Sequence, residues 1–381
     1  MEPILTGHSI AQDESVACQD LAVKINASDA KLNIIFFSIN YDKDKLAQEL
    51  QKNFTTPTIA CSTAGEISHH GFSEDSLVGM SLQGDAFEVS LITVDDLRNQ
   101  NSESILSLKK ELEKIQNLHR ERMDGGKTFG IVLIDGLSVK EEEFIYLMDD
   151  ILNGLPLIGG SASDQLNFKQ TLVYANGQLR VNAATLAIIT TTIPFEIFKV
   201  QNFSASESKF VITSATPQNR TVQEIEGMPA GIFYATKLGL EVSQLNPTVF
   251  SKNPVMLQIG DDYYVRSIQK MNPDLSLTFY CAIDNGLVLR LGRLRSIADT
   301  STELFKHLNL SLGKEKNCLV FECVLRRLEI MELPENEKER VLNQYRENNF
   351  IGFHTFGEQF GGVHVNQTLT GVAFGRQKTK S

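Results

Sequence analysis

Residues 32–65 read LNIIFFSINYDKDKLAQELQKNFTTPTIACSTAG, and this stretch decides the fold. Leu32 to Ile39 is a β-branched and aromatic run, the composition of a strand. From about Lys43 to Phe54 the pattern turns helical, with Leu46 and Leu50 four apart and so on one face. Thr58 to Ser62 is a second strand, broken by the turn Thr63-Ala64-Gly65. Two strands joined through a helix pair in parallel, because the crossover returns the chain to the end where it began. The stretch is a βαβ unit, and the fold is of the α/β type.

Outward from it, Leu77–Leu82 and Phe87–Val94 are expected to form a hairpin about Gln83-Gly84-Asp85. A long amphipathic helix follows over 102–122, with Ile105, Leu108, Leu112 and Ile115 as its buried stripe. Phe129–Ile134 is a buried strand. The next helix opens on Ser138-Val139-Lys140-Glu141, which has the pattern of a capping box. Leu157-Ile158-Gly159-Gly160 is a strand ending in glycines. Beyond it the pattern becomes antiparallel, with Asn176-Gly177 as a type I′ turn between two short strands. Further short strands, and helices near 229–238, 302–310 and 334–348, complete the chain. Polar residues thicken near Phe195–Ser208, which places a boundary between halves at 30–200 and 205–375. The expected architecture is α/β (α+β mixed): two packed halves with mixed parallel and antiparallel sheets flanked by helices.

Composition narrows the function. Charged residues make up 22% and hydrophobic ones 42%, so a packed core is expected rather than disorder. The net charge of −11 argues against nucleic acid as a partner, since phosphate binding needs clustered Lys and Arg. The start, Met1-Glu2-Pro3-Ile4, lacks the basic and apolar regions of an export signal. The uncharged run Val181–Phe195, roughly 15 residues, is too short to cross a bilayer, so no membrane insertion is expected. Five cysteines without a CxxC pair read as reduced thiols, and the expected location is cytoplasmic.

Two glycine turns carry the chemistry that the sequence offers: Cys61-Ser62-Thr63-Ala64-Gly65-Glu66 and Gly159-Gly160-Ser161-Ala162-Ser163-Asp164. Each follows an apolar strand, where glycine admits close approach of a ligand and hydroxyls can hold its polar atoms. The alternative is a pair of tight turns with no ligand. Cys61 invites a nucleophile reading, but no histidine adjoins it in sequence to act as base. His69-His70 follow the first turn. His354 and His364 lie in an aromatic, glycine-rich stretch, Gly352-Phe353-His354-Thr355-Phe356-Gly357-Glu358-Gln359-Phe360-Gly361-Gly362-Val363-His364. Imidazole among aromatic walls suits a haem pocket, and equally a hydrogen-bonded core histidine.

Read in order, these stretches resemble the FIST domain in its N-terminal and C-terminal halves. The matching residues are Cys61-Ser62-Thr63-Ala64-Gly65-Glu66, and Gly159-Gly160-Ser161-Ala162 with Asp164. They continue with Glu224-Ile225-Glu226-Gly227-Met228-Pro229-Ala230 with Tyr234, then Tyr264-Val265-Arg266-Ser267-Ile268. Gly352-Phe353, Gly357-Glu358 and Asn366-Gln367-Thr368-Leu369 close the set. The resemblance implies a sensory protein with a small ligand, signalling through a separate polypeptide such as a histidine kinase. Some standalone members are bacterial haem proteins that sense nitric oxide and control such a kinase. On that reading non-covalent haem b would be held by His364 or His354, with His69 and His70 behind them. A second reading is a sensor of an amino acid or similar polar metabolite, held by Ser62, Thr63, Glu66, Ser161 and Asp164, with Arg266 as a carboxylate clamp. An enzyme using Cys61 and a ligand-free interaction scaffold are the remaining alternatives.

Overall fold

The computed structural model describes residues 2–376. Three of its four sheets are built on one plan. The first unit comprises β1 (Ile4–Ser9), α1 (Glu14–Ile25), β2 (Ala30–Ser38), α2 (Lys43–Asn53), β3 (Thr58–Thr63), β4 (Glu66–Ser68), β5 (Gly71–Ser73) and β6 (Leu77–Gln83). The second repeats the order with β7 (Phe87–Val94), α3 (Ser102–Arg122), β8 (Lys127–Asp135), α4 (Glu141–Leu152), β9 (Leu157–Ala162), β10 (Val173–Ala175), β11 (Gln178–Arg180) and β12 (Ala184–Thr191).

The third unit starts with β13 (Phe195–Gln201) and is then interrupted by an inserted layer. That layer holds β14 (Phe203–Thr216), β15 (Thr221–Ile225), β16 (Met228–Pro229), α5 (Ala230–Leu238), α6 (Pro247–Lys252), β17 (Val255–Ile259), β18 (Asp262–Arg266), β19 (Ile268–Met271), β20 (Leu277–Phe279) and β21 (Val288–Leu294). The unit resumes with α7 (Ile297–Leu312), β22 (Asn317–Cys323), α8 (Val324–Met331), α9 (Glu335–Glu347), β23 (Phe350–Thr355), β24 (Glu358–Phe360), β25 (Val363–Val365) and β26 (Thr368–Phe374).

Each unit orders its main strands alike: β1-β6-β2-β3, β7-β12-β8-β9 and β13-β26-β22-β23. The last pair in each is parallel, as the βαβ reading requires. The small hairpin of each unit leaves home. β4–β5 joins β23, β10–β11 joins β3, and β24–β25 joins β9. The exchange is cyclic, so every sheet is completed by another unit. The inner faces pack into one core in which Phe36, Leu133 and Phe321 hold equivalent places, as do Ile34, Ile131 and Leu319. Each such side chain contributes about 1.5–3 kcal/mol by burial. Cys61, Gly160 and Phe353 are equivalent as well. A Cβ on Gly160 would lie 2.9 Å from Cζ of Phe353, so that ring fills the room the glycine leaves.

The mixed α/β architecture agrees with the sequence reading, and its division into halves is refined. The first unit begins at Ile4, ahead of residue 30, and β13 belongs to the third unit although it lies before residue 205. Residues 203–294 have a core of their own, including Phe210, Val222, Tyr234, Leu277 and Leu289. Two local expectations fail. β6 and β7 do not form a hairpin: β6 pairs with β1 and β2, β7 with β12, in different sheets. The capping box at Ser138 does not form, because Ser138 Oγ accepts from Lys140 N instead and α4 starts at Glu141 without a side-chain cap. Elements β1, α1 and α8 were not foreseen from the sequence. Among the described residues no helix is long and apolar enough to cross a membrane.

Candidate functional site

The ends of β3, β9 and β23 meet where the three sheets join, and backbone hydrogen bonds lace them into a ring. Ala64 N donates to His354 O (3.1 Å), Ser163 N to Ser62 O (3.0 Å) and Phe356 N to Ser161 O (3.3 Å). A second set runs beside it: Ser62 N to Leu172 O, His354 N to Gly65 O and Ser161 N to Gly357 O. Side chains strengthen the ring. Ser62 Oγ donates to Ser163 O and accepts from Leu172 N, Ser163 Oγ donates to His354 O, and Ser161 Oγ accepts from Gln359 Nε2.

The structure therefore brings the two glycine turns together, with Thr355–Glu358 as a third, but against one another. Cys61, Ser62, Thr63, Gly65, Glu66, Gly159, Gly160 and Ser161 are all buried, and the hydroxyls expected to hold a ligand hold the junction. A Cβ on Gly159 would overlap Val132 O, and Gly65 has a φ of +117°, so both positions require glycine. Cys61 faces the apolar core, and burial pushes its thiol well above the usual range, the reverse of what a nucleophile needs.

Two carboxylates complete the junction in the same way. Thr63 Oγ1 donates to Glu66, whose other oxygen accepts from Ser76 N and Oγ at 3.2 and 2.6 Å. Thr355 Oγ1 donates to Glu358, whose other oxygen accepts from Thr368 N and Oγ1 at 3.1 and 2.6 Å. Burial outweighs these bonds and raises Glu66 to about 7 and Glu358 to about 8. An unfolded glutamate releases its proton near pH 4.5 while folded Glu358 keeps it to about 8. Its contribution is thus full below the lower value and is lost as pH rises through the upper one. Glu358→Gln keeps the shape without the titration. Its Tm is expected to fall less than that of the parent between about pH 5 and pH 8, by scanning calorimetry; equal slopes would assign the pH dependence to other groups.

Neither histidine proposed for haem has room for one. The His354 ring is fully enclosed, edge-on to Phe72 at 4.6 Å, with Nδ1 3.5 Å from Glu322 Oε2. His364 Nδ1 lies 3.2 Å from Gln359 Oε1, and a Cβ on Gly357 would stand 2.5 Å from its Nε2. The His364 ring thus fills the space that Gly357 leaves, and with both rings buried neither shows the open axial direction that iron requires.

An open site lies where β8 ends. Ligands in α/β sheets favour the C-terminal ends of parallel strands, and here the inserted layer stands over that end. Between them is a cleft of about 360 Å³, within the size range of small-molecule sites. Gly136 and Leu137 follow β8 into it, Phe356 follows β23, and Arg220, Thr278 and Tyr280 line it from the insert. A larger cleft, about 760 Å³, lies where β22 starts, bordered by Glu2, Pro3 and Arg376. The smaller one is favoured because three unusual features converge there.

The first is the loop after β9. Gln165, Leu166 and Phe168 all have left-handed backbone, at φ 55°, 64° and 52°, each costing of order 1–3 kcal/mol. Asp164 holds the loop, accepting from Phe168 N (2.9 Å), Lys169 N (2.6 Å) and Gln170 N (3.0 Å). The result stacks Phe168 on Phe356, centroids 4.9 Å apart, and brings it to 6.2 Å from Tyr280. The second is a charge clamp. Arg220, itself at φ 51°, donates to Glu141 (2.8 Å), Glu142 (2.7 Å) and Tyr280 O (2.6 Å). Burial raises Glu141 to about 7 against the pull of that guanidinium.

The third lies behind the wall. His364 Nε2, Arg266 Nε and both amide atoms of Asn366 are buried without a hydrogen-bond partner. Arg266 Nη1 donates to His364 O at 3.1 Å, and burial lowers His364 to about 4, so its ring is neutral. Of the residues singled out from sequence, Asp164 braces the loop that carries Phe168, while Arg266 and His364 stand outside the cleft's lining. Phe168, Arg220, Tyr280 and Glu141 were missed. An aromatic and a leucine stranded in the polar loop 164–170 were the available signal.

Two protein families match the chain. Residues 31–228 match the FIST N domain and residues 230–361 the FIST C domain. Their junction falls at β16, inside the inserted layer, so both contribute to the cleft: Phe168 and Arg220 from the first, Tyr280 and Phe356 from the second. No curated protein matches the chain. The two matches together cover most of the sequence, and the chain belongs to the FIST family, whose domains are sensory domains of signal transduction.

Proposed function

We propose that this FIST protein senses a small polar metabolite with a flat or apolar part, an amino acid being the type, and reports to a separate signalling protein such as a histidine kinase. The ligand's flat part lies against Phe168 and Phe356, and its polar end meets Arg220, Gln218 and Gln269. The observation that carries the reading is the strained loop 165–168. Three left-handed residues in four positions are costly, and here they set one aromatic ring at the mouth of a cleft. Contacts on both the second unit and the insert give the ligand a means to favour one relative placement of the two. Such differential contact is what a two-state sensor requires.

Thermal shift and calorimetry against amino acids and related metabolites test this. A saturating ligand at 100 times its Kd should stabilise the fold by about 2.7 kcal/mol. Phe168 is 40% exposed, so Phe168→Ala is expected to leave the unliganded Tm almost unchanged while weakening binding about tenfold or more, since stacking of this kind contributes about 0.5–1.5 kcal/mol beyond the buried area. Hemin belongs in the same series. No response to any metabolite, with a saturable Soret band instead, would overturn the cleft in favour of haem.

A further inference from the structure

Away from the cleft, three imidazoles from two elements of the first unit meet near the surface. His8 lies on β1, and His69 and His70 form the turn between β4 and β5. One ring nitrogen from each lies within 4.8 Å of the others. Ring centroids are 4.0 Å apart for His69 and His70, 4.3 Å for His8 and His70, and 5.6 Å for His8 and His69. The polar contacts of this group run through backbone atoms. His70 N donates to Ser68 Oγ at 3.2 Å, and Lys24 Nζ donates to His8 O at 2.5 Å.

Three such rings repel once protonated. Burial, with the neighbouring imidazoles and the Lys24 ammonium, lowers His8 to about 4 and depresses His69. A metal ion takes neutral imidazole, the form that the surroundings of His8 and His69 favour. We propose that His8, His69 and His70 form a three-imidazole site for a divalent ion of the zinc class. Zinc–nitrogen bonds of about 2.0–2.1 Å in a tetrahedron place ligand nitrogens about 3.3 Å apart. Reaching that spacing asks for side-chain rotation of the part-exposed rings, with no rearrangement of strands. The fourth position remains for water.

The position gives the ion a structural task. β4–β5 is the hairpin that the first unit lends to the third sheet, where only Ile67 and Glu66 of β4 pair with β23. His8 belongs to the edge strand of the hairpin's own unit. An ion shared by the two ties the lent hairpin back to its source and fixes the first and third units together.

The test is calorimetric titration of zinc chloride into chelator-treated, tag-free full chain, for the parent and for His8→Ala, His70→Ala and His307→Ala. His307 is on α7, paired with Glu196, and serves as control. The expected result is one equivalent bound at micromolar or lower Kd, weakened at least tenfold in His8→Ala and in His70→Ala and unchanged in His307→Ala. Zinc should raise the Tm of the parent and of His307→Ala alone. Because His70 is exposed, His70→Ala folds even where His8→Ala is impaired. Absence of one-equivalent binding, or equal affinity in His70→Ala, would overturn the site.

Discussion

Replacing Arg220 by methionine is expected to abolish ligand binding at the cleft and to lower Tm by several degrees. The guanidinium is one of the cleft's polar walls and also the charge that joins insert to core, through Glu141 and Glu142, while its bond to Tyr280 O holds it within the insert. Its removal strands Glu141, whose side chain is 3% exposed. Breaking a buried pair from one side costs about 3–5 kcal/mol, because the remaining charge has neither water nor partner. The pH dependence has a definite sign. Folded Glu141 keeps its proton to about pH 7 even beside Arg220, and without that positive charge it keeps it higher still. Near pH 5 the Glu141 carboxyl is neutral and its part of the penalty is absent, leaving the part at Glu142. As pH rises past 7 the penalty grows. Unfolding monitored at both ends of that range checks this.

The double variant Arg220→Met/Glu141→Gln separates the two roles of Arg220. It leaves no unpaired charge at Glu141, so the share of stability lost there should return, while the share lost at Glu142, which also pairs with Arg220, should not. Ligand binding should not, since the guanidinium is still missing. Recovery of both would mean that Arg220 serves the cleft only through folding, and the ligand's polar end would then have to be assigned to Gln218 and Gln269.

What the sequence made legible, and what it hid, follows from the range of the interactions. The β2–α2–β3 unit was readable because Leu46 and Leu50 share a face and both strands are buried runs, all within about thirty residues. Asn176-Gly177 was readable because its two left-handed residues need those side chains locally. The exchanged hairpins were not, since nothing in Glu66–Ser68 states that its partner is Gly352 or Phe353, almost three hundred residues on. Adjacency misled at Gln83–Asp85, where neighbouring strands turn into different sheets. The threefold plan was hidden because equivalent places carry unlike residues: Cys61, Gly160 and Phe353 in the core, Ser62, Ser161 and His354 behind them. The glycine turns were rightly found as unusual, but their polar groups answer to one another. Asp164, singled out with them, braces the Phe168 loop.

The second large effect is expected at Arg326, whose substitution by methionine should lower Tm by several degrees and loosen the insert. Arg326 is the largest fully buried side chain. It donates to Glu322 Oε1 (3.0 Å), Asn202 Oδ1 (3.1 Å) and Ser301 Oγ (3.1 Å), while Tyr345 OH donates to the same Glu322 oxygen at 2.6 Å. β22, α7, α8 and α9 are thus held around one cation. Asn202 is also the residue where the chain leaves β13 for the insert, and its carbonyl accepts from Arg295 N at 2.7 Å where the chain returns. Both connections of the insert therefore pass over Arg326, and Asn202 is held further by Glu329 at 2.9 Å. With methionine at 326, Glu322 is left buried beside a neutral His354, a loss of about 3–5 kcal/mol. Arg326→Met/Glu322→Gln should recover much of that, because the pair costs desolvation on both sides. The insert should stay loose in both variants, since neither restores the bond to Asn202. Hydrogen exchange at Asn202–Phe203 and Leu294–Arg295 reads this directly. Faster exchange there in the single and double variants, with the core sheets protected in the double, is the expected pattern. Protection at those four residues equal to the parent's would show that the two connections hold each other without the cation beneath them.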